Sequence, residues 1–522
     1  MFDIRNLSIV ISKNSVEIIK NFNLSIKNNT KLAIIGEEGN GKSTLVKAIC
    51  GVDISSYAVI SGNINVHGVN VGYLPQSFED DELEMNARDF LTWDANAHEF
   101  NYAIFNEYGF LSKLINDFNL DLSILDSDKK LTNYSGGERL KIALIKILCK
   151  EPDILIFDEP TNDLDLDALK FLERFIISDN RPIIFVSHDE KLLENTANAI
   201  LHLERLKKKT ESKWTLKSQS YAEFLEERRH TLERQDQIAG NERAKFEAKM
   251  ERFRRIQERV NHDLNSVSRQ DPHSGRLLAK KMKTVKAQEK RFEKERENLP
   301  EFSDSEEAIH IEFGSSKVDK NRIIHEVNID KLQIGDRLLA SNINFKVLGR
   351  DKIVIVGKNG CGKSTLIKKI YDDLAKVNNL NVKYLSQDIT STFDGFETVI
   401  DFINENMYEK HEKTRTRTFL GSLKLTDEEV NSKIESLSGG TKVKLALAKI
   451  MVEGADVLVL DEPTRNLSPL SNPVLRSALH KYNGAIIAVS HDRKFIEEVA
   501  NKVLAFENGK IVDVTDKYQK FD

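Results

Sequence analysis

Two stretches of this chain combine residues suited to holding a phosphate chain beside a divalent cation. Gly36-Glu37-Glu38-Gly39-Asn40-Gly41-Lys42-Ser43-Thr44 and Gly357-Lys358-Asn359-Gly360-Cys361-Gly362-Lys363-Ser364-Thr365 place three glycines at the same spacings ahead of a lysine and a serine. Glycines allow the tight bends that aim backbone N–H groups at phosphate oxygens, and a helix beginning at the lysine adds favourable polarity. Lys42 and Lys363 are then placed for the β and γ phosphates, and the Ser43 and Ser364 hydroxyls for Mg2+. One such loop can arise by chance or serve a site that does no hydrolysis. Two, each directly after a short apolar run, point to paired nucleotide sites.

Each loop is followed by the same ordered set of polar motifs. Asp158-Glu159 and Asp461-Glu462 end apolar runs, where the aspartate can help hold the metal and the glutamate can act as general base on an attacking water. An isolated Asp-Glu pair is more often a solvated loop; the shared order and the apolar run ahead of each pair weigh the other way. His188 and His491 each follow an apolar run and a serine and are candidates to contact the γ phosphate, although a lone histidine is more often structural. Gln76 and Gln387 are candidate metal or water sensors. Ser135-Gly136-Gly137 and Ser438-Gly439-Gly440 can present N–H groups and a hydroxyl to a phosphate at a helix start. The Ser-Gly-Gly, Asp-Glu and His motifs recur at one common offset, so the repeating unit is a whole domain rather than a short solenoid element.

The elements that carry these residues follow from the apolar pattern. Leu32-Ala33-Ile34-Ile35, Ile154-Leu155-Ile156-Phe157 and Ile183-Ile184-Phe185-Val186 are continuous rather than alternating, as are their counterparts Ile353 to Val356, Val457 to Leu460 and Ala485 to Val489. Such runs, separated by helical stretches, predict strands buried on both faces of a largely parallel sheet, hence an α/β fold in both halves. The connector has another period. Leu225, Leu232, Ala239, Phe246, Phe253 and Val260 recur every seven residues, and so do Leu278, Val285, Phe292 and Leu299. Two helices with seven-residue seams, split at Ser268 to Gly275, predict an antiparallel coiled hairpin with Pro272 and Gly275 marking its bend. A continuous helix from Ala222 to His262 would reach roughly 60 Å at about 1.5 Å per residue.

A chain of 522 residues exceeds what one core usually supports, and the repeat divides it accordingly. No run approaches the roughly 20 apolar residues that span a bilayer, and the amino terminus shows no secretion signal, so a cytoplasmic protein without membrane contact is expected. Cys50, Cys149 and Cys361 are too few and too scattered for a disulfide framework, a zinc site or an iron–sulfur cluster. The formal charge of −5 argues against indiscriminate nucleic-acid binding. Its distribution is uneven: Tyr221 to Leu299 holds 20 Lys and Arg against 15 Asp and Glu, and Leu264 to Arg291 holds eight against two. A basic spike on an acidic body points to a local polyanion contact, where a plain charged spacer would need neither the bias nor the hairpin.

Together the motifs resemble those of ATP-binding-cassette ATPases, over both halves. Tyr134-Ser135-Gly136-Gly137-Glu138 and Leu437-Ser438-Gly439-Gly440-Thr441 are similar to the signature sequence of that superfamily. The resemblance implies an α/β fold of two P-loop cassette domains, 1–220 and 301–522, joined by an α-helical coiled hairpin linker over 221–300 with its tip near 263–275. It implies a Mg2+-dependent ATPase, a monomer whose cassettes close in an intramolecular head-to-tail sandwich. One site would join Lys42, Asp158, Glu159 and His188 to Ser438, Gly439 and Gly440; the other would join Lys363, Asp461, Glu462 and His491 to Ser135, Gly136 and Gly137. Two departures stand out. Ser468 replaces the aspartate expected after the second Asp-Glu, where the first half keeps Asp165, so equal turnover is not expected. Ile11 and Ile334 align where an aromatic usually stacks on adenine, so GTP is expected to bind as well as ATP.

Tandem cassettes without membrane segments, separated by a charged hairpin, resemble the ABC-F family. That resemblance implies binding at the E site of the 70S ribosome, with the hairpin directed at rRNA, the P-site tRNA and the peptidyl-transferase centre. Arg269, Arg276, Lys280, Lys281, Lys283 and Lys286 are the RNA-contact candidates. The span from Gln76 to Ser135 is only eight residues longer than its counterpart, too short for the arm many family members carry, which favours protection of translation from antibiotics. The alternatives are a translation factor relieving stalled ribosomes and the tandem ATPase subunit of an importer; the latter lacks a basic hairpin of this kind.

Overall fold

A computed structural model of the chain describes all residues except 1, 14, 67, 95–97, 163, 207–210, 267–271, 301–310, 312, 315, 406–419, 421–424, 426, 508 and 519–522. The chain divides into a body, Met1–Tyr221 with Ile309–Asp522, and a separate unit, Ala222–Ala308.

The first half of the body runs β1 (Asp3–Ile11), β2 (Val16–Ser25), β3 (Lys31–Ile35), α1 (Lys42–Ile49), β4 (Ala58–Asn65), β5 (Val71–Leu74), α2 (Gly136–Leu148), β6 (Ile154–Asp158), α3 (Leu166–Ser178), β7 (Ile183–Val186), α4 (Glu190–Thr196), β8 (Ala199–Leu206) and β9 (Glu211–Lys217), with shorter helices between β5 and α2. Its main sheet has the order β9-β8-β3-β7-β6-β5, parallel except for the β8–β9 hairpin. Every residue of β3, β6 and β7 is buried, the burial that their unbroken apolar sequence requires. A smaller antiparallel sheet, β2-β1-β4, packs its apolar face onto the same core through Ile4, Leu7, Ile9, Ile19 and Phe22.

The helix α5 (Tyr221–Ser266) starts on the last residue of the body's first segment and continues through the separate unit, where α6 spans Pro272–Glu297. Their seam is the seven-residue one: Phe253, Val260 and Val285 form a buried cluster with Met282 and Phe292 against it. Phe292 makes edge-on contacts with both Phe246 and Phe253, 6.1 and 5.2 Å between ring centres, which fixes the antiparallel register. The bend differs from the sequence expectation. Pro272 is the first residue of α6 and Gly275 lies inside that helix; proline suits the first helical position because the N–H it lacks would have no intrahelical partner. The helix α5, at 46 residues, is also longer than expected.

The second half of the body repeats the plan with β10 (Ile323–Ile334), β11 (Arg337–Leu348), β12 (Lys352–Gly357), α7 (Lys363–Leu374), β13 (Val382–Leu385), α8 (Gly439–Glu453), β14 (Val457–Asp461), α9 (Asn472–Lys481), β15 (Ala485–Val489), α10 (Arg493–Val499), β16 (Lys502–Glu507) and β17 (Lys510–Asp513). Its sheet order, β13-β14-β15-β12-β16-β17, is that of the first half read from the other edge. Two apolar layers cover it, one under α7 and one under α8 and α9. The chain is therefore two α/β cassettes with a helical hairpin in the connection.

Candidate functional site

Both glycine-rich loops leave the carboxyl end of a central buried strand, β3 or β12, and enter the helix that begins at the motif lysine, α1 or α7. The backbone requires its glycines. Gly41 and Gly362 precede the helices at φ of 88° and 109°, where an L side chain is strained, and a Cβ there would lie 2.7 Å from Ile18 or 2.8 Å from Leu339. Gly36, Gly39, Gly357 and Gly360 also have positive φ. The Lys42 ammonium donates to the carbonyls of Gly36 and Glu37 at 2.8 and 3.1 Å, and Lys363 donates to those of Gly357 and Lys358 at 2.8 and 2.9 Å. Each lysine is thus curled within its own loop, close to the backbone N–H groups that would hold phosphate.

Asp158 and Asp461 end β6 and β14 beside those loops. Ser43 Oγ donates to Asp158 Oδ1 at 2.8 Å, and Ser364 bonds Asp461 in the same way. Burial pushes both carboxyl groups above the usual carboxylate range, and Asp158 Oδ2 and Asp461 Oδ1 are buried without a protein partner. An acid placed like this fits a divalent cation, which would take the second oxygen and relieve its desolvation. Among the described residues no cluster of three or more His, Cys, Asp or Glu could hold a metal alone. A cation here would therefore share one carboxylate and one hydroxyl with phosphate oxygens and water, the coordination magnesium favours.

The glutamates that follow share an unusual backbone. Glu159 and Glu462 adopt φ of 50° and 52°, a left-handed conformation that costs an ordinary side chain on the order of 1–3 kcal/mol and persists where the surroundings enforce it. Their N–H groups donate to the carbonyls of Val186 and Val489 at the end of the adjacent strand, which holds the strained turn. The side chains then diverge. Burial pushes Glu159 up, but the His188 imidazole, with Nε2 2.9 Å from Oε1, outweighs it, and the Glu159 carboxyl stays below the usual range. His491 Nε2 is 3.8 Å from Glu462, so burial prevails there and raises Glu462 to about 8, while burial and Lys363 lower His491 to about 3. The two glutamates are thus displaced to opposite sides of the usual carboxylate range, Glu159 by its histidine and Glu462 by burial.

The signature motifs start α2 and α8. Ser135 and Ser438 are the N-caps, each accepting the N–H three residues on at 3.2 Å, and Glu138 completes a capping box. The cassettes face each other so that each signature meets the other cassette's loop. Ser135, Gly136 and Arg139 line a cleft of about 900 Å³ whose other wall holds Lys363, Ser364, Thr365, Gln387, Asp461, Glu462 and His491. At the first loop, Gly440 N–H donates to Glu38 and Lys444 pairs with Glu37 at 2.6 Å. Gly137 packs against Ala168 with no room for a Cβ. Thr44 is half-buried and Gln76 exposed, while Ile334, also exposed, lies on the rim of the cleft together with Arg337.

Among models of protein families, the one described as ABC transporter matches residues 19–162 and 340–465, slightly more than half the chain and both cassettes. The chain belongs to the ABC transporter family. It is 28% identical to the putative ATP-binding protein YdiF of Bacillus subtilis over 97% of this chain and 80% of that protein. It is 27% identical to the ABC transporter F family member 5 of Arabidopsis thaliana, covering 98% of this chain and 76% of the relative. It is also 27% identical to the energy-dependent translational throttle protein EttA of Escherichia coli K12, covering 95% and 90%. Its relatives thus include a protein named a member of the ABC transporter F family, and the ATPase domains make this ABC protein an ATP-hydrolysing enzyme. A solved archaeal ribosome recycling factor, in complex with a stalk protein, shares the fold with a TM-score of 0.58 at 17% identity, over 98% of this chain and 90% of that one. Among the described residues no helix is long and apolar enough to cross a membrane.

In this ABC ATPase the cassettes are also joined by charges that lie outside the repeated motifs. Arg476 on α9, 2% exposed, meets Glu190 of α4 with two contacts, 2.5 and 3.0 Å, and Glu498 at 2.7 Å. Arg493 pairs with Glu173 at 2.6 Å and with Asp189 at 3.2 Å. The signal was present where the two copies diverge: the residue two after each motif histidine is Glu190 in the first copy and Arg493 in the second. Of the linker residues, Arg276, Lys280, Lys281, Lys283 and Lys286 are exposed, and Arg269 lies outside the described residues, as do 267–271 of the expected tip.

Proposed function

We propose that this ABC-F ATPase is a ribosome-associated translation factor that uses ATP-dependent closure of its cassettes to direct the hairpin at RNA near the peptidyl-transferase centre. The observation that carries the reading is the row of exposed cations on α6, Arg276, Lys280, Lys281, Lys283 and Lys286, in a chain whose two phosphate loops each meet the other cassette's signature. A rod with that charge has little to bind on an acidic body and much to bind on a phosphate backbone. A relative named a translational throttle protein supports a role in translation.

Within each site Lys42 or Lys363 would leave its loop carbonyls for the β and γ phosphates, and Ser43 with Asp158, or Ser364 with Asp461, would hold Mg2+. The metal, when bound, supplies positive charge that offsets the charge on the γ phosphoryl group. Glu159 and Glu462 would orient the attacking water and accept its proton, with His188 and His491 near the γ phosphate and the opposing signature N–H groups beyond it. Gln76 and Gln387 would report on the metal as the cassettes close. Ile334 offers the base an aliphatic contact, consistent with GTP as well as ATP.

The finer reading is protection of translation from peptidyl-transferase antibiotics at the E site of the 70S ribosome, beside the P-site tRNA. Its support is the region between β5 and α2, where the described residues form only short helices and a two-residue strand pair and no long arm. Relief of stalled ribosomes is the second reading, favoured by the throttle relative. Pelleting with ribosomes tests the coarse reading. The Glu159→Gln, Glu462→Gln variant should stay bound in ATP because closure survives while water activation is lost; dissociation equal to the parent refutes it. Growth of a susceptible strain against peptidyl-transferase drugs separates the finer readings.

A further inference from the structure

The two phosphate loops differ in charge where they face the opposite cassette. Glu37, Glu38 and Lys42 give the first a formal −1, and Lys358 and Lys363 give the second +2. Carboxylates beside a triphosphate are repulsive unless another group neutralises them. For the first loop that group comes from the second cassette. The Glu38 carboxylate accepts the Gly440 N–H at the start of α8, where the helix dipole favours an anion, and an oxygen of it lies 3.2 Å from where a Cβ on Gly439 would sit. Glu37 pairs with Lys444 one turn further along α8, both side chains largely buried. The first loop is thereby tied to the second signature through two carboxylates of its own.

The other junction is built the opposite way. The positions that correspond to Glu37 and Lys444 are Lys358 and Lys141, two cations. The carboxylate there belongs to the first cassette: Asp165, the N-cap of α3, lines a cavity with Gly357 and Lys358 and is close enough to act on the charge of Lys363. Its counterpart Ser468 is buried, and its hydroxyl donates to that of Ser471 at 3.2 Å. Each junction thus has a carboxylate, but it is carried by the phosphate loop at the first and by the opposing cassette at the second.

We propose that the first composite site is closed by the protein's own carboxylates, Glu38 holding the signature N–H that an ATP γ phosphate would otherwise take, whereas the second closes around nucleotide. ATP at the first site must displace Glu38 from Gly440, so that site binds nucleotide more weakly. At the second site the loop, Lys358-Asn359-Gly360-Cys361, carries no carboxylate to compete for the signature N–H groups, so nucleotide itself draws the halves together. Ser468 in place of an aspartate fits this scheme: Asp165 shares a cavity with Lys358, and an aspartate at the corresponding place in the first junction would lie by Glu37, the counterpart of Lys358, and repel it. The inference concerns the ATPase alone and stands apart from the ribosome reading.

The test is fluorescent mant-ATP binding with Mg2+ to the full chain carrying Glu159→Gln and Glu462→Gln. Adding Lys363→Ala leaves the first site; adding Lys42→Ala leaves the second. In the first background Glu38→Asn, which installs the residue found at Asn359, should tighten binding about tenfold, the scale of one charge-assisted hydrogen bond. Glu38→Gln, which keeps shape and loses charge, should tighten it less. In the second background neither change should move the isotherm. Circular dichroism melting confirms that each variant is folded, and if Glu38→Asn is not, Glu38→Gln decides. Unchanged or weakened binding in the first background, or equal tightening in both, overturns the proposal.

Discussion

Replacing Arg476 with methionine should destabilise the docked cassettes by about 3 kcal/mol, at the lower end of the cost of leaving a buried charge unpaired. The number follows from which of its bonds are dry. The contacts to Glu190 join two side chains that are each 2% exposed, so neither can recover hydration when the other is removed. The bond to Glu498 is different, because that carboxylate is 47% exposed and an exposed pair contributes only about 0–1 kcal/mol. Lys494, 3.7 Å from Glu190, offsets part of the loss. Urea unfolding of the full chain at matched salt measures the deficit.

Two further arms make this prediction specific. Arg476→Met with Glu190→Met should recover most of the stability, because an apolar pair of similar volume replaces a buried ion pair at little cost. The pH dependence has a definite sign. Burial already raises the Glu190 carboxyl against the lowering effect of Arg476, and removing the arginine raises it further. A carboxyl with a folded pKa above its unfolded value of 4.5 adds no penalty below that pH and an increasing one as pH rises toward the folded pKa. The single variant should therefore approach the parent near pH 4.5 and fall behind it by pH 7. A deficit under about 1 kcal/mol, a double variant no better than the single, or a deficit independent of pH would refute the reasoning.

Three other outcomes are expected. Lys280→Ala with Lys281→Ala and Lys283→Ala should weaken ribosome binding and flatten its dependence on salt by up to about three counterions, read from pelleting across a salt series; an unchanged slope contradicts an electrostatic contact. Phe292→Ala removes the half-buried ring that bridges Phe246 and Phe253 and should cost the hairpin about 3 kcal/mol, the low end for a phenylalanine truncation, seen as an earlier loss of helical circular dichroism with ATPase activity retained. Gly36→Ala would drive a Cβ into the Leu203 carbonyl oxygen at a φ of 149°, and should abolish nucleotide binding at the first site while the second still binds mant-ATP.

The linear order of residues determined the architecture because each element depends on its own neighbours. Unbroken apolar runs at Leu32 to Ile35 and Ile154 to Phe157 specify strands buried on both faces, and the seven-residue seam through Phe246, Phe253 and Val260 specifies helices that must pair. Glycine spacing likewise marked both phosphate loops, since few other residues tolerate those backbone angles. The left-handed turns at Glu159 and Glu462 left no local signal, because the neighbouring strand enforces them. The unequal histidine distances, 2.9 and 3.8 Å, come from packing around motifs that read alike. Glu38 and Gly440, 402 residues apart, and Glu190 and Arg476, 286 apart, are ordinary charged and small residues in sequence. Only the docking of one cassette on the other makes them partners, because a charge acquires its energy from what surrounds it in space.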